Sequence, residues 1–175
     1  MEEARNQTIY FITGASGVGK TTLVHLLREK YHNQPWSFFH FDSGGVPSLA
    51  QMEKEYGSPA AWQKAKTLEW IHLLVQDGVS TKIFMEGQTN PQFIQEGFAQ
   101  QNFKNFKIIL LDCPAPEVKQ RLTIRRNQPE LFTPHLVNWL NYLRAQAREQ
   151  QIPIIETQHL TPPQLLAAFE KVIAL

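Results

Sequence analysis

Hydrophobic and polar positions along this chain switch repeatedly between a strand-like and a helical pattern. Thr8-Ile9-Tyr10-Phe11-Ile12-Thr13 is a continuous β-branched and aromatic run, as expected of a strand buried on both faces. From Lys20 the period changes, and Leu23, Val24, Leu26, Leu27 and Tyr31 recur at helical spacing. Asn33-Gln34-Pro35 ends that helix, Trp36 to Phe41 reads as a second strand ending at Asp42, and Ser43-Gly44-Gly45-Val46-Pro47-Ser48 reads as a flexible loop. Ser58-Pro59 is a cap followed by proline, opening a helix to about Gln76 that Asp77-Gly78 stops. Its stripe of Trp62, Ala65, Leu68, Ile71, Leu74 and Val75 favours packing for the aromatics over a pocket lined by Trp62, Trp70 and His72, and gives His72 no special role.

The second half repeats the scheme. Lys82 to Met85 is a third strand running into Glu86-Gly87-Gln88, and Asn90-Pro91 caps a short helix through about Phe98. Phe106 to Leu111 is a fourth strand ending at Asp112-Cys113-Pro114, and Pro116 begins a helix carrying Lys119, Arg121, Arg125 and Arg126. Thr133-Pro134 starts a helix to about Gln150 with Leu136, Trp139, Leu140, Leu143 and Ala147 inward and Arg144 and Arg148 in solvent. Pro153-Ile154-Ile155 is a short fifth strand ending at Glu156-Thr157-Gln158, and Thr161-Pro162 opens the last helix. Alternating strands and helices predict an α/β fold, a single parallel sheet with helices on both faces.

Bulk properties narrow the setting. A length of 175 residues fits one domain with a substantial core. With 17 basic and 16 acidic residues the formal charge is +1, so no global field favours nucleic acid or an anionic membrane. Apolar runs such as Ile108 to Leu111 are too short to span a bilayer, and Met1 to Asn6 lacks the parts of a leader peptide. Cys113 is the single cysteine, which leaves no intramolecular disulfide and no cysteine pair for zinc. The expectation is a soluble cytoplasmic protein without a membrane or nucleic-acid partner, its oligomeric state open.

The chemistry begins at Gly14-Ala15-Ser16-Gly17-Val18-Gly19-Lys20-Thr21, which satisfies G-x-x-x-x-G-K-[ST] between a strand and a helix. A chance match in a chain this long has odds on the order of one in a hundred, and the strand-loop-helix context lowers them further. The glycines let successive backbone N–H groups converge on phosphate oxygens at a positive helix end. Gly14 to Thr22 is therefore a candidate phosphate cradle, with Lys20 directed at the β- and γ-phosphates and the Thr21 hydroxyl at Mg²⁺. Asp42 and Glu86 end the second and third strands at the edge where open α/β sheets bind ligands. Asp42 reads either as a base for an acceptor hydroxyl or as a turn-forming aspartate. Glu86 reads either as an organiser of Mg²⁺ through water or as a cap or ion-pair partner. Arg121 and Arg125, four apart on a helix, would repel unless an anion lay between them, and phosphate fits.

These features together resemble the P-loop small-molecule kinases, the group of adenylate, shikimate and gluconate kinases. Beside the phosphate loop, the resemblance rests on Leu111 to Arg126, which is similar to the D-x-P turn, helix and R-[LI]-x-x-R-R run of adenylate kinases. It implies strand order 2-3-1-4-5 in a three-layer P-loop NTPase fold. It also implies one domain over residues 1–175, with an acceptor-side segment at about 43–80 and a lid at about 125–134. Arg121 would then flank adenine, Arg125 would reach the phosphates, and Gln158 would lie beside the adenine edge. The acceptor half departs from the group, because no arginine occurs between Arg28 and Arg121 and only Lys54, Lys64, Lys66 and Lys82 are present. Lysines grip planar anions less well, so a neutral or amine-bearing hydroxyl compound is expected over a carboxylate. The implied activity is transfer of phosphate from ATP, with Mg²⁺, to a small hydroxyl-bearing acceptor, with Lys20, Asp42 and Arg125 catalytic. A nucleotide-switched regulatory ATPase is the alternative. Phosphorylation of an RNA end lacks a basic stripe leading from the cleft.

Overall fold

The computed structural model describes residues 7–175. The stretch Met1 to Asn6, on which the leader-peptide expectation rests, lies outside the described residues. Strands β1 (Thr8–Thr13), β2 (Trp36–His40), β3 (Lys82–Gly87), β4 (Phe106–Asp112) and β5 (Ile154–Glu156) form one parallel sheet in the order β2-β3-β1-β4-β5. Both the sheet order and the three-layer α/β arrangement agree with the sequence reading. Helices α1 (Lys20–Lys30), α2 (Leu49–Tyr56), α3 (Pro59–Gln76), α4 (Pro91–Gln100), α5 (Ala115–Gln120), α6 (Pro134–Glu149) and α7 (Pro162–Ile173) supply the layers.

The continuous apolar runs follow from burial on both faces. Alternate residues Ile9 and Phe11 of β1 pack with Ile83, Met85, Ile108 and Leu110 against α3, α4 and α6, through Ile71, Ile94, Phe98 and Leu143. Tyr10 and Ile12 point the other way, with Phe84, Ile109 and Leu111, against α1 and α7 through Leu23, Leu27, Phe169 and Ile173. Period-two alternation is thus present in the packing but invisible in hydropathy, because each face is covered. The pairings Thr13↔Gly87 and His40↔Glu86 align the carboxyl ends of β1, β2 and β3.

The cap-and-proline signals are realised. Ser58, Asn90 and Thr133 accept from the backbone N–H of Ala61, Gln92 and Leu136 at 3.1, 3.0 and 3.2 Å, and Thr161 forms a capping box with Gln164. Each such cap is worth about 1 kcal/mol. The described residues contain no helix long and apolar enough to cross a membrane.

Three local differences matter. Strand β2 ends at His40, and Phe41–Gly44 is a 3₁₀ turn carrying Asp42. Helix α2, absent from the sequence reading, begins with a Ser48–Gln51 capping box and ends at Gly57 in the left-handed region. Its apolar positions Leu49, Met52 and Tyr56 do share a face, but at eight residues, with only Met52 buried, the helix is too short for that period to stand out beside the Ser, Gly and Pro run before it. Arg144 does not merely face solvent: its Nε and Nη2 donate to Asp112 Oδ2 and Oδ1 at 2.6 and 3.0 Å. This two-pronged pair ties α6 to the end of β4.

Asp112 is 2% exposed, so removing its partner leaves a buried carboxylate uncompensated. Arg144→Ala is expected to lower stability by about 3 kcal/mol, read as a fall in the urea midpoint. Arg144→Lys should recover only part, because a point charge cannot fork across both oxygens.

Candidate active site

The loop between β1 and α1 is shaped by its glycines. Gly14 passes β4 so closely that a Cβ there would lie 2.6 Å from the Leu111 carbonyl oxygen. Gly19, with φ 110°, begins α1 in a conformation that side-chain-bearing residues rarely adopt. Helices α2, α3, α4, α6 and α7 each have a side-chain cap and the six-residue α5 has none, its cap position being Pro114; the eleven-residue α1 also has none. Its first N–H groups and the positive end of its dipole therefore face a cavity of about 540 Å³ and can receive an anion.

Lys20 is 8% exposed, and its ammonium folds back to donate to the Ala15 carbonyl at 2.9 Å. Burial lowers its pKa to about 8, against the opposing pull of Glu86 and Asp42, while Arg126 lowers it further. Such an amine lacks the charge neutralisation that phosphate oxygens would give.

Two carboxylates face it. Glu86, buried at the end of β3, accepts on Oε1 from Thr21 Oγ1 at 3.3 Å and from His40 Nδ1 at 2.8 Å. Asp42 lines the same cavity from the 3₁₀ turn. Surrounding protein raises the Asp42 pKa, the charge on Glu86 adds to this, and Lys20 opposes it. The turn is fixed by packing, since Phe41 fills the space at Gly87 where a Cβ would lie 2.5 Å from Phe41 Cβ. Trp70, read as a packing residue, also donates its indole N–H to Phe41 O at 3.2 Å. Gln63 of α3 bonds to Gln88 O and Asn90 N at 2.9 and 3.0 Å, holding the loop after β3.

The arginines divide in role. Arg121 donates to Glu117 at 2.8 Å, to Thr157 Oγ1 and O at 3.0 and 2.7 Å, and to Gly17 O and Val18 O at 3.4 Å. Its charge is met by Glu117, so the repulsion inferred from helical spacing is already relieved there without phosphate. Arg121–Arg125 winds as a π-turn closed by Arg126 N–H to Arg121 O at 3.1 Å. In an α-helix a residue five positions on points roughly 140° away; the wider winding brings it back toward the same face. Arg125 and Arg126 consequently both line the cavity, and the side chains of both lack an ion pair or hydrogen bond among the described residues.

Of the residues singled out in the sequence, Ser16 to Thr22, Asp42, Glu86, Arg121 and Arg125 meet in this cavity. Gly14 and Ala15 lie behind the loop, and Gln158 follows β5 outside the lining, where Thr157 and Leu160 form the wall. Arg126, Gln88 and His40 were not singled out as site residues, although Arg126 was visible as part of a basic run. Lys54, Lys64, Lys66 and Lys82 are absent from the lining; Lys64 pairs with Glu96, Lys66 with Glu69, and Lys82 lies over Trp36. Among the described residues no group of three or more His, Cys, Asp and Glu side chains could hold a metal. The Thr21 hydroxyl and Glu86 carboxylate are nevertheless the oxygen donors Mg²⁺ favours when phosphates and water complete its shell.

No protein-family profile and no curated protein sequence matches the chain. Solved structures do. Shikimate kinase from Acinetobacter baumannii in complex with shikimate is 18% identical, with 97% of this chain and 94% of that one covered and a TM-score of 0.65. A gluconokinase from Sinorhizobium meliloti 1021 is 13% identical, with 98% of each chain covered and a TM-score of 0.66. An unliganded sugar kinase from Janibacter sp. HTCC2649 is 21% identical, covering 96% of this chain and 95% of that one at a TM-score of 0.61. The chain has the fold of the P-loop small-molecule kinases.

The buried amine has a consequence for stability. A lysine titrates near 10.5 when unfolded and about 8 here, so between these values the unfolded chain holds more protons and stability rises with pH. Lys20→Met should therefore stabilise the empty protein at pH 7 by up to about 3 kcal/mol, with the gain shrinking toward pH 10.5. Urea titrations of both proteins across that range check the sign.

Proposed function

We propose that the protein is an ATP- and Mg²⁺-dependent phosphotransferase acting on a small hydroxyl-bearing acceptor, in the cytoplasm. One observation carries this reading: an uncapped helix end with a buried lysine faces a carboxylate, Asp42, across a single cavity. The N–H groups of Ser16 to Thr22 and the Lys20 ammonium would hold the β- and γ-phosphates. Thr21 and Glu86 would hold Mg²⁺, which when bound neutralises charge on the phosphate oxygens. Arg121, stapled to the Thr157 turn, would flank the adenine beside Gln158. The lid at about 125–134 would bring Arg125 and Arg126 over the phosphates.

Asp42 would accept the proton of the acceptor hydroxyl as its oxygen bonds to the γ-phosphorus and the bond to the β–γ bridging oxygen breaks, releasing ADP. A carboxyl raised above its ordinary value is a better match for that proton. Lys20 would receive developing charge on the leaving side.

The acceptor would bind in the segment at about 43–80. The cations in the lining are Lys20, Arg121, Arg125 and Arg126, all from the phosphate loop and the helix-to-lid run. No lysine or arginine of the 43–80 segment lines the cavity, so a carboxylate acceptor would meet Asp42 and Glu86 with cations only from the phosphate-binding side, which supports a neutral or amine-bearing alcohol.

A metabolite screen for stimulated ADP release, followed by mass spectrometry, should yield a product heavier by one phosphoryl group. Asp42→Asn should lower turnover at least about 100-fold while ATP affinity stays within a few fold. Release of free phosphate with no phosphorylated product from any acceptor would replace this reading with that of a nucleotide-switched ATPase.

A further inference from the structure

We propose that His40 is a positioning residue for Glu86, aiming one oxygen of that carboxylate into the cavity where Mg²⁺ and the phosphates would bind. The proposal rests on the assignment of Glu86 above. His40 and Glu86 are register partners on adjacent parallel strands, so their side chains project from the same face of the sheet. His40 Nδ1 lies 2.8 Å from Glu86 Oε1, the same oxygen that Thr21 Oγ1 approaches at 3.3 Å. An ionised carboxylate only accepts, so the imidazole donates through its Nδ1–H. Glu86 Oε2 has no hydrogen-bond partner among the described residues, and Glu86 lines the cavity. One oxygen is thus held twice and the other left for a ligand.

A purely structural pair explains less. With the His40 side chain 28% and that of Glu86 10% exposed, the pair also contributes to stability, but stability alone gives no account of the second carboxylate oxygen left unpaired toward the cavity. Holding a buried carboxylate in one rotamer beside a threonine at the first turn of α1 is what a metal's outer shell does. Outer-shell partners typically change metal affinity or activity 10- to 100-fold.

The test uses calorimetry on the full chain. ATP affinity is measured in EDTA and in excess Mg²⁺, and the ratio of the two dissociation constants reports the metal's contribution without turnover. His40→Ala should reduce that ratio about tenfold. His40→Asn, whose amide nitrogen can occupy the Nδ1 position, should return it to within about threefold of wild type. His40→Gln, which carries its nitrogen farther out, should not. A His40→Ala protein with the wild-type ratio, while Glu86→Gln loses it, overturns the positioning role alone. Equal losses in His40→Asn and His40→Ala also overturn it, because the donor position would then be irrelevant. A wild-type ratio in Glu86→Gln overturns the assignment of Glu86 and this inference with it.

Discussion

The structure depends on a cost accepted at one place, a lysine ammonium and an uncapped helix end turned inward where β1 becomes α1. Among the described residues every other helix of eight residues or more has a side-chain oxygen on its first turn; here the cap position is Gly19. Lys20 has one carbonyl partner, Ala15 O, and two carboxylates at a distance. An arrangement that compensates a buried cation only in part and leaves a helix dipole uncapped is suited to an anion that serves both at once.

Topology puts the other groups within reach. Because β1 lies between β3 and β4, the phosphate loop emerges at the centre of the carboxyl edge. The register of β2 with β3 then sets His40 beside Glu86, and the 3₁₀ turn that follows β2 swings Asp42 over the same cavity. Phe41 against Gly87 fixes that turn by contact between a ring and a missing side chain. The acidic groups thus come from the ends of two strands that are 46 residues apart at the His40–Glu86 pair, yet they form one side of a single site.

Much of this was legible in the sequence because it is local. The strand runs, the proline-led caps and the Gly14–Thr21 loop each declare themselves within a few residues, and Asp42 and Glu86 were visible as acids ending apolar runs. What escaped depends on distance or on unusual winding. Helix α2 is only eight residues long, and its short apolar face of Leu49, Met52 and Tyr56 is masked by the Ser, Gly and Pro run before it. Arg144 finds Asp112 only after α6 packs on β4, and the place of His40 is set by strand register. Arg126 faces the cavity because the chain makes a π-turn, and nothing in the spacing of Arg121 and Arg125 announces the extra residue in that turn.

Arg121 has a mechanical side. Its guanidinium touches the carbonyls of Gly17 and Val18 on one loop and both oxygens of Thr157 on another, while Thr157 Oγ1 itself donates to Val18 O at 2.8 Å. Two segments about 140 residues apart in the chain are riveted into one body, so neither can drift without dragging its neighbour. The gap between those two loops is therefore set by hydrogen bonds rather than by the length of chain that separates them in the sequence.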